Sequence, residues 1–522
     1  MICRQTRSGR VLAVVRLFGS VGPPLAVLLV ALALMSPTLL LGAPVDRKPP
    51  VTRADDVKDV LHGVDIADPF RWLEDQESPE TRAWIDEQNK YSHSFIDGLK
   101  ARKVIEERML ALVKSDNFGI PFSRNGRYFF TKRPAGQDLF VIYMRKGSKG
   151  EDRALVDPHG MSADKTKSVD IFDVSDDGTL MAYSVRDGGQ DEVAVRLLNV
   201  DSTKLLPDSL PRALYFSFSL LPDKSGYYYT IYKPEGPRLF FHKMGTVSEE
   251  DVMVFGEGYG PDKIVGGGVT EDGRYLGIIV YHGSAGQKTE VHFQDLVKKG
   301  PIQVVVDDID ARFEPQIGGD KLYMLTNWNA PNGRVLAVDL NNPARDNWEE
   351  VVPESDDVIE GMALAGGRIF LNYLHNVASK VAIYEPDGKP VRDIALPSLG
   401  YISNVVGRWQ GDETFFFFTS FDAPSIIYSY DVKTGRREVW AKRNVPFNPD
   451  MFEVKQVWYA SKDGTKIPMF IVHKKGLKLD GNNPVYLTGY GGFTVHQTPY
   501  YSACTVVWVE HGGVFARPSL RG

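Results

Sequence analysis

Cysteine is nearly absent from this 522-residue chain, which has only Cys3 and Cys504. Cys3 lies in the leader, so one thiol remains for the rest of the chain and an internal disulfide framework is excluded. A chain this long can bury its cores without such staples. A lone thiol with no paired histidine in view reads as a small buried side chain rather than a nucleophile. Basic excess is also missing. Lys and Arg total 61 against 67 Asp and Glu, a net charge of −6, which excludes the electrostatic footprint of a nucleic-acid binder. Gly266-Gly267-Gly268 lacks the strand–glycine–helix spacing of a phosphate loop and reads as a turn.

What is present is globular in character, with 43% hydrophobic and 25% charged residues. Residues 1–43 read as an export signal. Arg4, Arg7, Arg10 and Arg16 precede an apolar stretch from Leu25 to Leu41, and Leu41-Gly42-Ala43 offers a small-residue cleavage site. Pro44 disfavours cleavage there, and an uncleaved anchor is the alternative, but Pro23, Pro24 and Pro37 work against a long straight spanning helix. No cysteine follows the apolar stretch to take a lipid. The expectation is an exported protein, periplasmic or secreted, free of the membrane after signal removal. Losing the four leader arginines would move the net charge from −6 to −10.

Residues 44–54 read as a linker, and 44–115 as a helical segment. Ser78-Pro79 is a helix start, an N-cap followed by proline at the first helical position. Trp84, Tyr91, Phe95 and Leu99 recur at helical spacing, as do Val104, Ile105, Met109, Leu112 and Val113. These stripes are expected to be core contacts that need another surface to bury against.

From about 116 to 445 a unit of turn and aromatic strand repeats. It runs Asn125-Gly126-Arg127-Tyr128, Asp177-Gly178-Thr179-Leu180, Ser225-Gly226-Tyr227-Tyr228 and Asp272-Gly273-Arg274-Tyr275. It continues as Gly319-Asp320-Lys321-Leu322, Gly367-Arg368-Ile369-Phe370 and Asp412-Glu413-Thr414-Phe415. Seven units at a period of about 45–52 residues match four-stranded propeller blades, and the expectation is an all-β seven-bladed propeller. A propeller alone would suggest a binding module. His159, in Asp157-Pro158-His159-Gly160, reads as a turn residue rather than a ligand.

After Pro446 the pattern becomes successive strands, near 454–460, 467–472, 485–487 and 514–516, which look like the opening of an α/β-hydrolase sheet. Val485 to Leu487 reads as a short buried strand. It stops at Gly489, Gly491 and Gly492, with Tyr490 between them and Phe493 after them. Such a turn lets a phenol stand clear of the backbone beyond a strand's carboxyl end, where it can donate to an oxyanion.

Three stretches in order carry a resemblance: Asp68-Pro69-Phe70-Arg71-Trp72-Leu73-Glu74-Asp75, the run from Val457 to Lys475, and Pro484 to Phe493 with Trp508 to Ala516 after it. Together they resemble the prolyl oligopeptidase family of serine peptidases. The resemblance implies the same propeller, a helical segment packed on the hydrolase domain, and a domain organisation of 1–43 signal peptide, 44–115 helical segment, 116–445 propeller and 446–522 start of the hydrolase domain. It implies cleavage of short peptides after proline, a propeller that excludes folded proteins, no metal or organic cofactor, and a monomer. It assigns Tyr490 to oxyanion stabilisation and Phe493 to the pocket for substrate proline. The Gly-Gly-Phe run resembles prolyl oligopeptidase rather than the oligopeptidase B group. Thr488, Arg517 and Ser519 depart from the family pattern and put the register of the last strand in question. No G-x-S-x-G occurs in the chain, Ser519 lacks flanking glycines, and Gly522 precedes the point where the family carries its serine, aspartate and histidine. The expectation is therefore a chain with an oxyanion donor and no nucleophile, inactive as it stands. The rival reading is a catalytically dead propeller that serves as a binding protein.

Overall fold

The computed structural model describes residues 48–521 apart from Ala285, Asn404, Phe493 and Thr494. The leader, with its cleavage site, and Phe493 lie outside the described residues. The chain divides into two compact units, Met1–Leu99 and Lys100–Gly522, so the division falls between the two expected helices.

In the smaller unit, strands Lys58–Leu61 and Val64–Ala67 form an antiparallel hairpin. His62 and Gly63 both take positive φ, at 52° and 78°, as a two-residue turn requires. Helix α1, Pro79–Ile96, starts where Ser78-Pro79 predicted it, and the Ser78 hydroxyl accepts from the Thr81 N–H at 3.3 Å. A small polar–aromatic knot holds it. Trp84 lies edge-on to Trp72 at 6.5 Å, the Trp84 indole donates to Thr52 Oγ1, and Thr81 Oγ1 donates to the Trp72 carbonyl.

The larger unit opens with helix α2, Lys100–Val113. Then come seven sheets in chain order, each of four strands meandering antiparallel, with the first strand of blades 1 and 7 split in two. Every repeat unit read from the sequence is the turn between the first and second strand of a blade, followed by the second strand. The second strands run Arg127–Arg133, Leu180–Arg186, Gly226–Lys233, Tyr275–Tyr281, Lys321–Thr326, Arg368–His375 and Glu413–Ser420. Their aromatic residues fill the spaces between blades, and Phe129, Tyr227, Tyr275, Tyr323, Phe370 and Phe416 are all fully buried. These seven sheets form a seven-bladed β-propeller.

Gly266 to Gly268 do not form the expected turn. These residues are the middle of a first strand, Ile264–Val269, and not a turn. Their lack of side chains serves close approach: a Cβ on Gly267 would lie 2.9 Å from Leu239 of the preceding blade, and one on Gly266 3.2 Å from Ile279 on the neighbouring strand of its own blade. His159 does sit in a turn, with Asp157 accepting from its N–H at 2.9 Å.

A second, smaller sheet follows in the spatial order Phe452–Ala460, Lys466–Lys474, Val514–Pro518, Val485–Leu487. The first three are antiparallel neighbours. The last pair is parallel, Val485 opposite Val514 and Leu487 opposite Ala516, and the crossover between them contains helix α3, Ala503–Glu510. The sequence reading had no helix there. It is apolar on all sides, with Val506, Val507 and Val509 buried, so no 3.6-residue alternation marks it.

Candidate functional site

Val485–Leu487 is a strand as expected, but it is the edge strand and not a buried one. Val485 and Leu487 are 58% and 63% exposed on one face, and only Tyr486 turns inward, against Trp508 and Phe515. Because this strand is parallel to Val514–Pro518, the loop after Leu487 emerges at the carboxyl end of a parallel pair, the usual position for a site in an α/β sheet. Thr488 N–H still donates to the Ala516 carbonyl at 3.1 Å, and Tyr490 makes one further parallel bridge with Ser519.

Just past those ties the glycines are needed for space. A Cβ on Gly491 would lie 2.7 Å from the Arg521 carbonyl, and one on Gly492 would lie 3.0 Å from the Tyr490 phenol oxygen. The phenol is therefore folded back over its own glycine loop, and Tyr490 is 47% exposed. A half-exposed phenol at this position can donate to an anion arriving from outside the sheet.

Two anchors hold the loop, one buried and one partly exposed. Arg517 lies on the strand beneath it, and both its Nε (2.9 Å) and its Nη2 (2.5 Å) donate to the Gln497 amide oxygen while the guanidinium stacks over Tyr500 at 4.3 Å. Burial lowers its pKa from the usual arginine value, since no carboxylate offsets the desolvation. The register of this strand is well defined, with Phe470 opposite Arg517 and Met469 opposite Pro518. His496 Nε2 contacts the carboxylate of Glu360 at the start of the first strand of blade 6. Sequence reasoning flagged Arg517 only as a departure and missed His496 and Glu360, whose 136-residue separation leaves no local signal.

The same face of the propeller carries the rest of the sheet. Val377 and Phe421, in the second-to-third-strand turns of blades 6 and 7, join Phe452, Phe470, Val472, Val506, Phe515 and Leu112 of α2 in one apolar cluster. Arg108 adds a two-pronged pair to Glu510 at 2.8 and 2.6 Å and donates to the Pro446 carbonyl. The Tyr490 loop therefore lies over the propeller face that bears these turns, tied to it at blade 6. Cys504, in α3, is exposed rather than buried. Ser519 Oγ accepts weakly from the Gln497 N–H at 3.5 Å. Among the described residues no group of three or more His, Cys, Asp or Glu is arranged to hold a metal ion, and no helix is long and apolar enough to cross a membrane.

Comparisons with known proteins agree in one direction. Residues 49–443 match the family described as prolyl oligopeptidase, N-terminal β-propeller domain. The chain is 32% identical over 486 residues to a prolyl endopeptidase of Elizabethkingia meningoseptica, covering 91% of this chain and 68% of that protein. It is 28% identical to prolyl oligopeptidase A of Galerina marginata, covering 91% and 71%. A solved structure from a study of two prolyl endopeptidases and their inter-domain dynamics superimposes with a TM-score of 0.84 at 35% identity, over 91% of this chain and 72% of that one. Prolyl oligopeptidase B of Galerina marginata, bound to a 35-residue hydrolysis and macrocyclization substrate, gives 0.82 at 27%, with the same coverage.

Proposed function

This chain belongs to the prolyl oligopeptidase family, and on that premise we propose that it is the propeller-bearing part of an exported serine-type endopeptidase that cleaves short peptides after proline. The observation that carries the proposal is Tyr490, a half-exposed phenol at the carboxyl end of a parallel strand, above the propeller face. In this reading the attacked carbonyl lies near the Tyr490 loop. The phenol donates to the oxygen as negative charge develops on it in the tetrahedral intermediate, a stabilisation made only in the transition state. Phe493 lines the pocket for the substrate's proline ring. Arg517 and the His496–Glu360 pair hold the loop from below and from the propeller side. The propeller limits access to short, unfolded peptides, and no cofactor enters the chemistry.

Acyl transfer also needs a serine activated by histidine and oriented by an acid. No serine of these 522 residues lies on a G-x-S-x-G turn, so the chain by itself is not expected to hydrolyse peptides.

The test compares the product of the native gene with the 522 residues expressed alone, on a proline-ended chromogenic peptide and its alanine analogue. The native product is expected to cleave after proline, to be blocked by a serine-directed fluorophosphonate, and to lose about 10²- to 10³-fold in kcat on Tyr490→Phe, the loss typical of one oxyanion donor. The 522 residues alone should show no turnover. Turnover by them, or cleavage indifferent to proline, would refute the proposal.

A further inference from the structure

The propeller ring has a weak point. Blade 1 is built wholly from residues 117–156 and blade 7 from 401–442, so no strand is exchanged across the seam between them. Both first strands at that seam are broken, into Asn117–Phe118 and Phe122–Arg124 in blade 1 and into Tyr401–Ile402 and Val406–Gly407 in blade 7. Side chains close it: Tyr128 and Phe130 of blade 1 meet Phe415 and Trp440 of blade 7, and Arg145 stacks over Trp440 at 4.9 Å.

On the side of the ring away from the second sheet, the turn after the broken strand of blade 7 leaves its own blade. The N–H groups of Gly366 and Gly367, in blade 6, donate to the carbonyls of Arg408 and Trp409 at 2.9 and 2.8 Å. The Trp409 ring covers Gly318 of blade 5, where a Cβ would come within 2.8 Å of it, and lies 6.2 Å from the Tyr323 ring. Glu271, just past the first strand of blade 4, accepts from the Trp409 N–H at 2.7 Å and the Gln410 N–H at 3.2 Å, and Arg408 Nε lies 3.4 Å from the same carboxylate. Arg408 Nη1 reaches Asp176 of blade 2 at 2.5 Å. In a ring of seven, blades 7 and 4 are three places apart by the shorter way. A contact between them runs across the axis.

We infer that residues 408–410 form a crossbar over one mouth of the axial channel, anchored by Glu271, which ties blade 7 to blades 2, 4, 5 and 6 in place of an exchanged strand. The crossbar divides the mouth into a cavity of about 610 Å³ on the side of blades 1–3 and one of about 420 Å³ on the side of blades 4 and 5, both lined by Glu271 and Gly407. Glu271 suits the role because its two oxygens serve two backbone N–H groups and a guanidinium at once. Burial works against the charge on Arg408, but Asp176 and Glu271 outweigh it and its pKa is raised. The crossbar is a property of the ring, independent of the chemistry proposed for the Tyr490 loop.

Hydrogen exchange on the 522-residue chain tests this. In Glu271→Gln one oxygen must serve donors that two served, and the new amide N–H₂ faces Arg408. Exchange in residues 406–412 is expected to speed up about tenfold or more, the effect of losing a hydrogen bond to a charged group. Exchange in the seam strands, 127–133 and 437–442, should speed up by a smaller factor, and the outer strands of blades 3 and 5 should keep their rates. Arg408→Lys, which keeps the charge but cannot reach both Asp176 and Glu271, should give a smaller change in the same two regions. Asp412→Asn lines the same mouth, but its carboxylate pairs with Lys433, and it should change neither. Unchanged exchange at 406–412 in Glu271→Gln would overturn the inference. So would an unchanged seam, or equal acceleration in every blade.

Discussion

The propeller and the second sheet handle the same problem, the exposed face and edge of a β-sheet, in different ways. In the propeller every blade is covered on both faces by its neighbours, and the radial arrangement leaves only short edges. The second sheet has α2, α3 and the turns of blades 6 and 7 against one face, whereas Trp458, Tyr459, Val485 and Leu487 are exposed and Val485–Leu487 forms an open edge. The propeller spends its aromatic residues on self-closure; the sheet holds its reactive-looking loop at a rim where a ligand can reach it. Stability and access are thereby assigned to different parts of one unit.

Substitutions can break or sharpen this contrast. The largest expected effect is on burial. Phe416→Ala removes a fully buried ring between blades 6 and 7 and is expected to cost about 3–5 kcal/mol. Leu487→Ala on the open strand should stay within about 0.5 kcal/mol. Urea titrations of both variants measure the difference, and equal costs would erase the contrast.

Two arginines, Arg408 half-buried and Arg517 buried, come next, because the same change should have opposite signs. Arg408→Met leaves Asp176 and Glu271 without their cation and should destabilise by about 2 kcal/mol or more. Arg517→Met removes a buried cation that has no carboxylate partner and should be neutral or stabilising by about 1 kcal/mol. Thermal melts at constant pH and salt decide it.

Acid titration separates the regions further. Glu413, at the seam, accepts from Tyr128 Oη at 3.0 Å, and burial raises its pKa above the usual glutamate value. A carboxylate whose folded pKa is raised contributes stability that is fully present below its unfolded pKa, near 4, and is lost as pH rises through the folded pKa. Glu413→Gln should therefore be more stable than the parent at pH 7.5, with the difference shrinking by pH 4. Asp463, beside the second sheet, behaves oppositely. Its hydrogen bond from Arg521, with those from Thr465, lowers its pKa to about 2, so its contribution is present above the ordinary aspartate value and lost as pH falls toward 2. Carbon-13 titration of the two carboxyl groups reads both midpoints.

The smallest expected effect is at Tyr490. Tyr490→Phe in the 522-residue chain should leave stability within about 0.5 kcal/mol, because the phenol is half exposed. A large loss there would make Tyr490 a structural residue and weaken its catalytic assignment.

Much of this was legible in the chain. The turn–strand units located all seven second strands because their signals are local: small polar residues and glycine for the turn, as Asn-Gly or Asp-Gly in three of the seven, then apolar and aromatic residues for the strand. Ser78-Pro79 placed the start of α1 for the same reason. α3 was not legible, since a helix that is apolar nearly all round has no polar stripe. Gly266–Gly268 misled, because glycine marks close approach in a strand as well as freedom in a turn. The edge position of Val485–Leu487 was also hidden. An apolar run states that a strand wants to be covered, and its neighbours decide whether it is.

What the sequence determined alone is what short-range physics dictates: the repeat, the blade count, the first helix cap, and a glycine loop that leaves Tyr490 free. The tertiary structure decided everything that joins distant residues. It set His496 on Glu360, Arg517 over Tyr500 in a carboxylate-free pocket, and Glu271 across the ring axis from Trp409. These pairings depend on how the blades close and how the second sheet sits on them, and no residue type announces a partner that only ring closure brings within reach.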